Sequence, residues 1–216
     1  MLVIGLTGGI GTGKTTAAEH LESRGFARID ADEIGRELTA DGQPMLEILD
    51  DVFGPEGEMG TGAIIVRRDS GVAVLDRRTL ANIVFKDENK RERFDKIVHT
   101  EMKKIIDSRI ASLQSSGSEE GYSGILLDAP LLFEAEINDR CHVVILITAD
   151  TDVRIGRVCD RDNTTPDEVE DRILNQMSDD EKRRYSDFVV ENNGEIEELF
   201  SALDEIVDYL LDKNNY

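Results

Sequence analysis

Gly8-Gly9-Ile10-Gly11-Thr12-Gly13-Lys14-Thr15 is the stretch on which the fold of this chain turns. The spacing, Gly, four residues, then Gly-Lys-Thr, is that of a Walker A phosphate-binding loop. Its glycines let backbone N–H groups curl around phosphates, because a Cβ would clash in the required conformations. The apolar run Leu2-Val3-Ile4-Gly5-Leu6 precedes it and reads as a short buried strand. A helical pattern follows from Lys14 through Ala17, Ala18 and Leu21 to Gly25, a natural stop. Such a helix points its partially positive N-terminus at the same phosphates. Lys14 reaches the β- and γ-phosphates of a nucleoside triphosphate as a point charge, and the Thr15 hydroxyl is a ligand for Mg²⁺.

Outward from this loop, residues 26–29 form a second short strand ending at Asp30-Ala31-Asp32. Strand, glycine loop, helix and strand open a parallel sheet. Helical patterns follow over 33–38 and, after Pro44, over 45–52. Residues 54–77 are broken by glycines, which predicts a loop with a small hairpin near 64–74. Residues 78–85 and 89–113 read as helices, the second with an apolar stripe from Phe94 to Leu113. The Ser/Gly/Glu-rich stretch 115–124 predicts a flexible connection. Residues 125–128 and 143–147 are two more buried strands. Thr165-Pro166-Asp167-Glu168 and Ser178-Asp179-Asp180-Glu181 are capping boxes that start short helices. Residues 188–190 form a last strand and 196–211 a terminal amphipathic helix. The expected class is α/β: a P-loop NTPase-type parallel sheet flanked by helices, with an inserted helical substrate-binding region and a short helical lid. The expected divisions are 1–53, 124–150 and 186–216 for the nucleotide-binding core, 54–123 for the helical insertion and 151–185 for the lid.

The 216 residues suit one α/β domain or one core with inserted subdomains. A net charge of −21 disfavours nucleic acid and anionic membranes as partners. It fits adaptation to high salt as well as an ordinary acidic surface, and in both cases a polyphosphate site must be locally positive. No apolar run reaches membrane-spanning length, and Met1 leads into the first strand without a basic segment, so a cytoplasmic protein is expected. Cys141 and Cys159 lack metal-ligand spacing and read as free thiols.

Several side chains are candidates for chemistry. Asp30 and Asp32 end the second strand, where ligands of parallel sheets sit. On an extended segment both could face one side. Either could take a proton from an attacking hydroxyl, hold a magnesium-bound water, or cap the next helix. Asp128 ends an apolar strand in Walker B fashion, as an outer-shell Mg²⁺ contact or a structural carboxylate. Arg154, Arg157 and Arg161, with Arg172, form a cationic group that could neutralise a transferring phosphoryl group or pair with neighbouring acids. His99 lies at the hydrophilic margin of the long helix.

With these residues in view, the chain resembles the dephospho-CoA kinase family over about residues 3–195. The resemblance is carried by residues 5–16 around the P-loop and by Ile29-Asp30-Ala31-Asp32. It continues through Phe53-Gly54, Leu75-Asp76-Arg77-Arg78-Thr79-Leu80, Ile83-Val84-Phe85 and Asp128-Ala129-Pro130-Leu131-Leu132-Phe133-Glu134. It ends with Arg157, Arg161-Asp162, Gln176 and the turn Val190-Glu191-Asn192-Asn193-Gly194. It implies transfer of the γ-phosphate of ATP to the ribose 3′-hydroxyl of dephospho-CoA, with Mg²⁺. It implies ATP contacts from Gly9, Gly11, Thr12, Gly13, Lys14, Thr15, Thr16 and Arg157. Lys14, Asp32, Arg157 and Arg161 become catalytic candidates, with Asp32 as general base or orienter and Thr15 and Asp128 on the metal side. Asp32, Arg77, His99, Pro130, Leu131, Leu132 and Glu134 become acceptor contacts. The chain departs from the family pattern at His99-Thr100, where His-Pro is usual, and in the length of 57–74. Two other readings share the core: another small-metabolite or nucleotide kinase, and a nucleotide-dependent switch. The switch reading lacks its Asn-Lys-x-Asp motif, since Asn89-Lys90-Arg91-Glu92 ends in the wrong residue.

Overall fold

Seven strands and nine helices are defined in the computed structural model, which describes residues 1–60, 62–68, 70–84 and 86–213. In chain order they are β1 (Val3–Thr7), α1 (Lys14–Ser23), β2 (Phe26–Asp30), α2 (Ala31–Leu38), α3 (Met45–Phe53), β3 (Ile65–Arg67), β4 (Ala73–Leu75) and α4 (Arg77–Val84). Then come α5 (Glu88–Glu120), β5 (Gly124–Asp128), β6 (Val143–Thr148), α6 (Thr151–Asp162), α7 (Pro166–Leu174), α8 (Asp179–Arg183), β7 (Phe188–Glu191) and α9 (Ile196–Lys213). Phe85, the expected end of the 78–85 helix, lies outside the described residues, as do Thr61 and Asp69 of the insertion and residues 214–216.

The chain divides into two compact units, residues Met1–Asp30 with Asp107–Tyr216, and Ala31–Ile106. In the first, five apolar runs pair as a parallel sheet in the order β2-β5-β1-β6-β7. Continuous apolar strands suit a parallel sheet covered on both faces. The register pairs Leu6 and Asp30 with Asp128, and Thr7 with Leu146, which aligns the carboxyl ends of four strands at one edge. Ile4, Leu6, Leu126, Ile145 and Ile147 pack with Ala17, Ala18 and Leu21 of α1 and with Leu199, Leu203, Val207 and Leu210 of α9. The α1–α9 contact is closed by His20, which stacks on Phe200 at 4.1 Å and lies 2.8 Å from Asp204. Arg24 joins Asp204 and, at 2.6 Å, Asp208.

The second unit is a helical body around the antiparallel β3–β4 hairpin. Met45, Leu46, Leu49, Val52 and Phe53 of α3 pack with Leu75, Leu80 and Val84, and Phe94, Ile97 and Val98 of α5 close over them. This core groups α3, expected with the nucleotide-binding core, with the hairpin and α4. α3 has its apolar face on the hairpin and α4, so it belongs with them. Residues 151–185, the expected lid, fall within the first unit.

Two local expectations change. Residues 115–120 are helical, not a flexible connection. Ser115 and Ser116 donate to the carbonyls of Ala111 and Ser112 at 2.8 and 3.1 Å, so their hydroxyls turn back onto the helix instead of competing with it. Asp30 and Asp32 also do not share an extended segment. Asp30 closes β2 and Asp32 is already in the first turn of α2, where acid is favoured by the helix dipole.

Candidate active site

The loop between β1 and α1 takes the shape its glycines permit. Gly11 and Gly13 have φ of 80° and 91°, the left-handed region that excludes most side chains. The buried Thr12 hydroxyl donates to the Gly9 carbonyl at 2.9 Å, and Asn192 donates to the Thr12 carbonyl at 2.8 Å. Thr12 is thus fixed by its side chain and by its backbone, whose N–H also donates to the Gly9 carbonyl, at 3.3 Å. α1 starts with no side-chain cap and no acid in its first turn. Its leading N–H groups therefore keep the donor capacity and positive end that bind phosphate.

Lys14, the first residue of α1, pairs with Oδ1 of Asp128 at the end of β5. Asp128 is only 1% exposed, and its other oxygen accepts from Arg28 Nε at 3.0 Å and Nη2 at 2.6 Å. Arg28 also reaches Glu22 at 3.1 Å and Asp30 at 3.4 Å. Burial pulls the Arg28 guanidinium down, and the carboxylates of Asp128, Glu22 and Asp30 together more than reverse it, leaving it above its usual range. A buried carboxylate without a cation is costly. With Arg28 in place, Lys14 can turn to a phosphate and Asp128 remains neutralised. Arg28 was missed in the sequence. Its one signal is an arginine set between the apolar Phe26-Ala27 and Ile29 of β2.

Thr15 stands exposed in the first turn of α1. Among the described residues no group of three or more His, Cys, Asp or Glu side chains could hold a metal. An exposed hydroxyl such as that of Thr15 suits a magnesium ion that takes its other ligands from phosphates and water. It does not fit a metal caged by protein.

The four arginines separate. Arg154 is 5% exposed and fixed on both sides. Its Nε donates to the Ile10 carbonyl at 2.8 Å and its Nη1 pairs with Asp179 at 3.2 Å. Arg157 donates to the Asn192 carbonyl at 2.9 Å, on the residue that also holds Thr12. Arg161 and Arg172 are exposed and share Asp162, at 2.7 and 3.1 Å. The Arg161 hydrogen bond, helped by Arg172, holds the Asp162 carboxyl below its usual range. Both capping boxes form, at Thr165 with Glu168 and at Ser178 with Glu181.

The loop after β5 is anchored rather than free. The Pro130 carbonyl accepts from Thr7 Oγ1 at 3.2 Å and from Lys182 Nζ at 2.6 Å. Glu134 accepts from the Met177 N–H and pairs with Lys182, both at 3.1 Å. Lys182 is fully buried in α8, where its polar neighbours gave no sign of it. The two leucines of the loop part company. Leu131 is 40% exposed, whereas Leu132 is fully buried against Gly5. Leu132, expected among the acceptor contacts, is a core residue, because the chain turns inward there to cover β1.

In the second unit, a cavity of about 470 Å³ lies among α2, α4 and α5. Its walls include Leu80, Phe94 and Met102, and its charged members are Asp32, Arg36 and Arg77. Arg77 is held by Thr39, whose carbonyl and hydroxyl both accept from Nη2 at 3.1 Å. Asp32 is exposed at the start of α2. An apolar chamber with a few charges is the ordinary make-up of a small-molecule site. His99 is not among the lining residues. It lies on α5 near Asp95, whose carboxyl is pushed up by burial against the pull of His99.

The family model and the curated relatives agree on one family. The dephospho-CoA kinase family model matches residues 2–198. A dephospho-CoA kinase of Corynebacterium glutamicum is 33% identical, with 100% of each chain covered. Among solved structures, TT1252 from Thermus thermophilus superposes with a TM-score of 0.74 at 31% identity, covering 97% of both chains. Dephospho-CoA kinase from Campylobacter jejuni superposes with a TM-score of 0.64 over 98% of both chains, and at 20% identity that likeness speaks for the fold alone.

Proposed function

We propose that Lys14, Asp32, Arg157 and Arg161 carry out the reaction of the dephospho-CoA kinase family, to which this chain belongs. That reaction moves the γ-phosphate of ATP to the ribose 3′-hydroxyl of dephospho-CoA, giving coenzyme A and ADP, the last step of coenzyme A synthesis.

The loop amides of Gly9, Gly11, Thr12 and Gly13 and the first turn of α1, with Thr15 and Thr16, cradle the phosphates of ATP. Lys14 leaves Asp128 for the β- and γ-phosphates, and Arg28 keeps Asp128 compensated. Thr15 would hold Mg²⁺ directly and Asp128 through water, with Arg28 kept on Oδ2 of Asp128. The metal supplies charge neutralisation at the phosphate oxygens. Asp32 accepts the proton of the 3′-hydroxyl as that oxygen attacks in line. Arg157 and Arg161 turn to the transferring group, and closure of residues 151–185 excludes water, which limits wasteful hydrolysis of ATP.

The observation that carries the acceptor side is the cavity that holds Asp32 and Arg77 together. Arg77 suits the acceptor's phosphates, with Pro130, Leu131, Glu134 and His99 as further contacts. Among the described residues no helix is long and apolar enough to cross a membrane. With the −21 charge, this supports cytoplasmic work on two small molecules without nucleic acid. The test is ATP consumption with dephospho-CoA against adenosine, shikimate and nucleoside monophosphates. Dephospho-CoA alone should stimulate turnover strongly. No stimulation by it, or stronger stimulation by another acceptor, overturns the assignment.

A further inference from the structure

The P-loop apex is gripped on both of its backbone groups at one residue. The Ile10 carbonyl accepts from Arg154 Nε at 2.8 Å, and the Ile10 N–H donates to Gln176 Oε1 at 3.0 Å. Neither grip is part of the Walker A pattern. The Arg154 guanidinium lies against Gly9, where a Cβ would run into Nη2, and Gly11 packs on the Arg154 backbone. Its far side pairs with Asp179, the first residue of α8. Burial pulls this guanidinium below its usual range and Asp179 restores it only in part.

A charge removed from water must be matched by good geometry. Here the planar fork of arginine spans two targets in different segments, a loop carbonyl and a helix carboxylate. A lysine ammonium is a point charge and cannot reproduce that fork. The pairing also explains why Arg154 departs from the other three arginines. It is spent on holding the loop and does not reach for a phosphoryl group.

We propose that Arg154 is a positioning residue for nucleotide binding: it sets the P-loop apex through Ile10 and, through Asp179, ties that apex to α8. Nucleotide affinity and the ordering of residues 178–183 are then linked. This rests on the reading that the P-loop binds ATP.

The test is direct titration of the full chain with Mg²⁺ and ATP in the absence of acceptor, followed by steady-state kinetics. R154Q should weaken ATP binding about 10-fold, the loss of one charge-assisted hydrogen bond. Its kcat at saturating ATP should stay within about threefold, and the KM for dephospho-CoA should not move, as expected when only uniform binding is removed. D179N should weaken ATP binding about threefold, and R154Q/D179N should be no weaker than R154Q, because coupled neighbours are not additive. R154K should lie between wild type and R154Q. ATP affinity of R154Q within about twofold of wild type, strict additivity in the cycle, or an equal rise in both KM values overturns the proposal. Should R154Q fail to fold, D179N decides alone, and wild-type affinity in it is the contradicting result. A wild-type chain that binds no ATP overturns the P-loop reading instead.

Discussion

The two units hold their charges in opposite ways. In the first, four cations are buried or half-buried and already paired. Lys14 and Arg28 flank Asp128, Arg154 grips Ile10 and Asp179, and Lys182 grips Pro130 and Glu134. In the second, Asp32, Arg36 and Arg77 border an apolar chamber, and Asp32 and Arg77 are exposed. The first arrangement suits a ligand whose charges the protein must meet with fixed donors, such as a triphosphate. The second suits a larger molecule with apolar parts, oriented by a few polar contacts. It also answers the charge problem posed by a chain at −21. These four cations of the first unit are built in, each matched to named acids, so their number does not depend on the surface.

This contrast predicts how each unit breaks. In the first unit Lys14→Ala should lower kcat/KM by about 10³-fold in an ADP-release assay, the scale of losing an electrostatic stabiliser. Arg28 should keep that variant folded, with a melting temperature near wild type. Next comes the pair Leu132→Ala and Leu131→Ala. The first leaves a cavity under β1 and should cost about 3 kcal/mol in denaturant melts. The second, at an exposed position, should change stability by under about 0.5 kcal/mol and raise the KM for dephospho-CoA instead. Arg77→Ala should raise the KM for the acceptor about 10-fold with ATP affinity unchanged, the scale of one hydrogen bond to a charged group. Thr39→Val removes one of the two acceptors that hold Arg77, so its effect on the same KM should be smallest, about threefold.

The same contrast governs what the sequence disclosed. The donor side is local: Gly8 to Thr15 is one unbroken motif between a strand and a helix, so its role is readable from eight residues. The elements were also plain where period and caps agreed, as in both capping boxes and all five sheet strands. The acceptor cavity is not local. It joins α2, α4 and α5, so Asp32, Arg77 and Met102 meet only through tertiary packing. Arg28, Arg154 and Lys182 were opaque for a related reason. A basic residue in an acidic chain reads as surface or as a phosphate contact, as Arg154 did in its cationic group, and only the fold reveals that Lys182 and Arg154 are buried. The serines of 115–116 misled because their composition favours loops, while their hydroxyls satisfy the helix from within.

The central claim is a division of labour, with ATP held by the first unit and the proton of the acceptor taken by Asp32 of the second. Asp32→Asn tests it most directly, because the substitution keeps shape and removes only the basic carboxylate. ATP binding by titration and turnover with dephospho-CoA should be measured on the same preparation. The account predicts wild-type ATP affinity together with a loss of kcat of about 10²–10⁴-fold, the range of general-base catalysis. Wild-type turnover in Asp32→Asn, or a loss of ATP affinity that matches the loss of turnover, would contradict it.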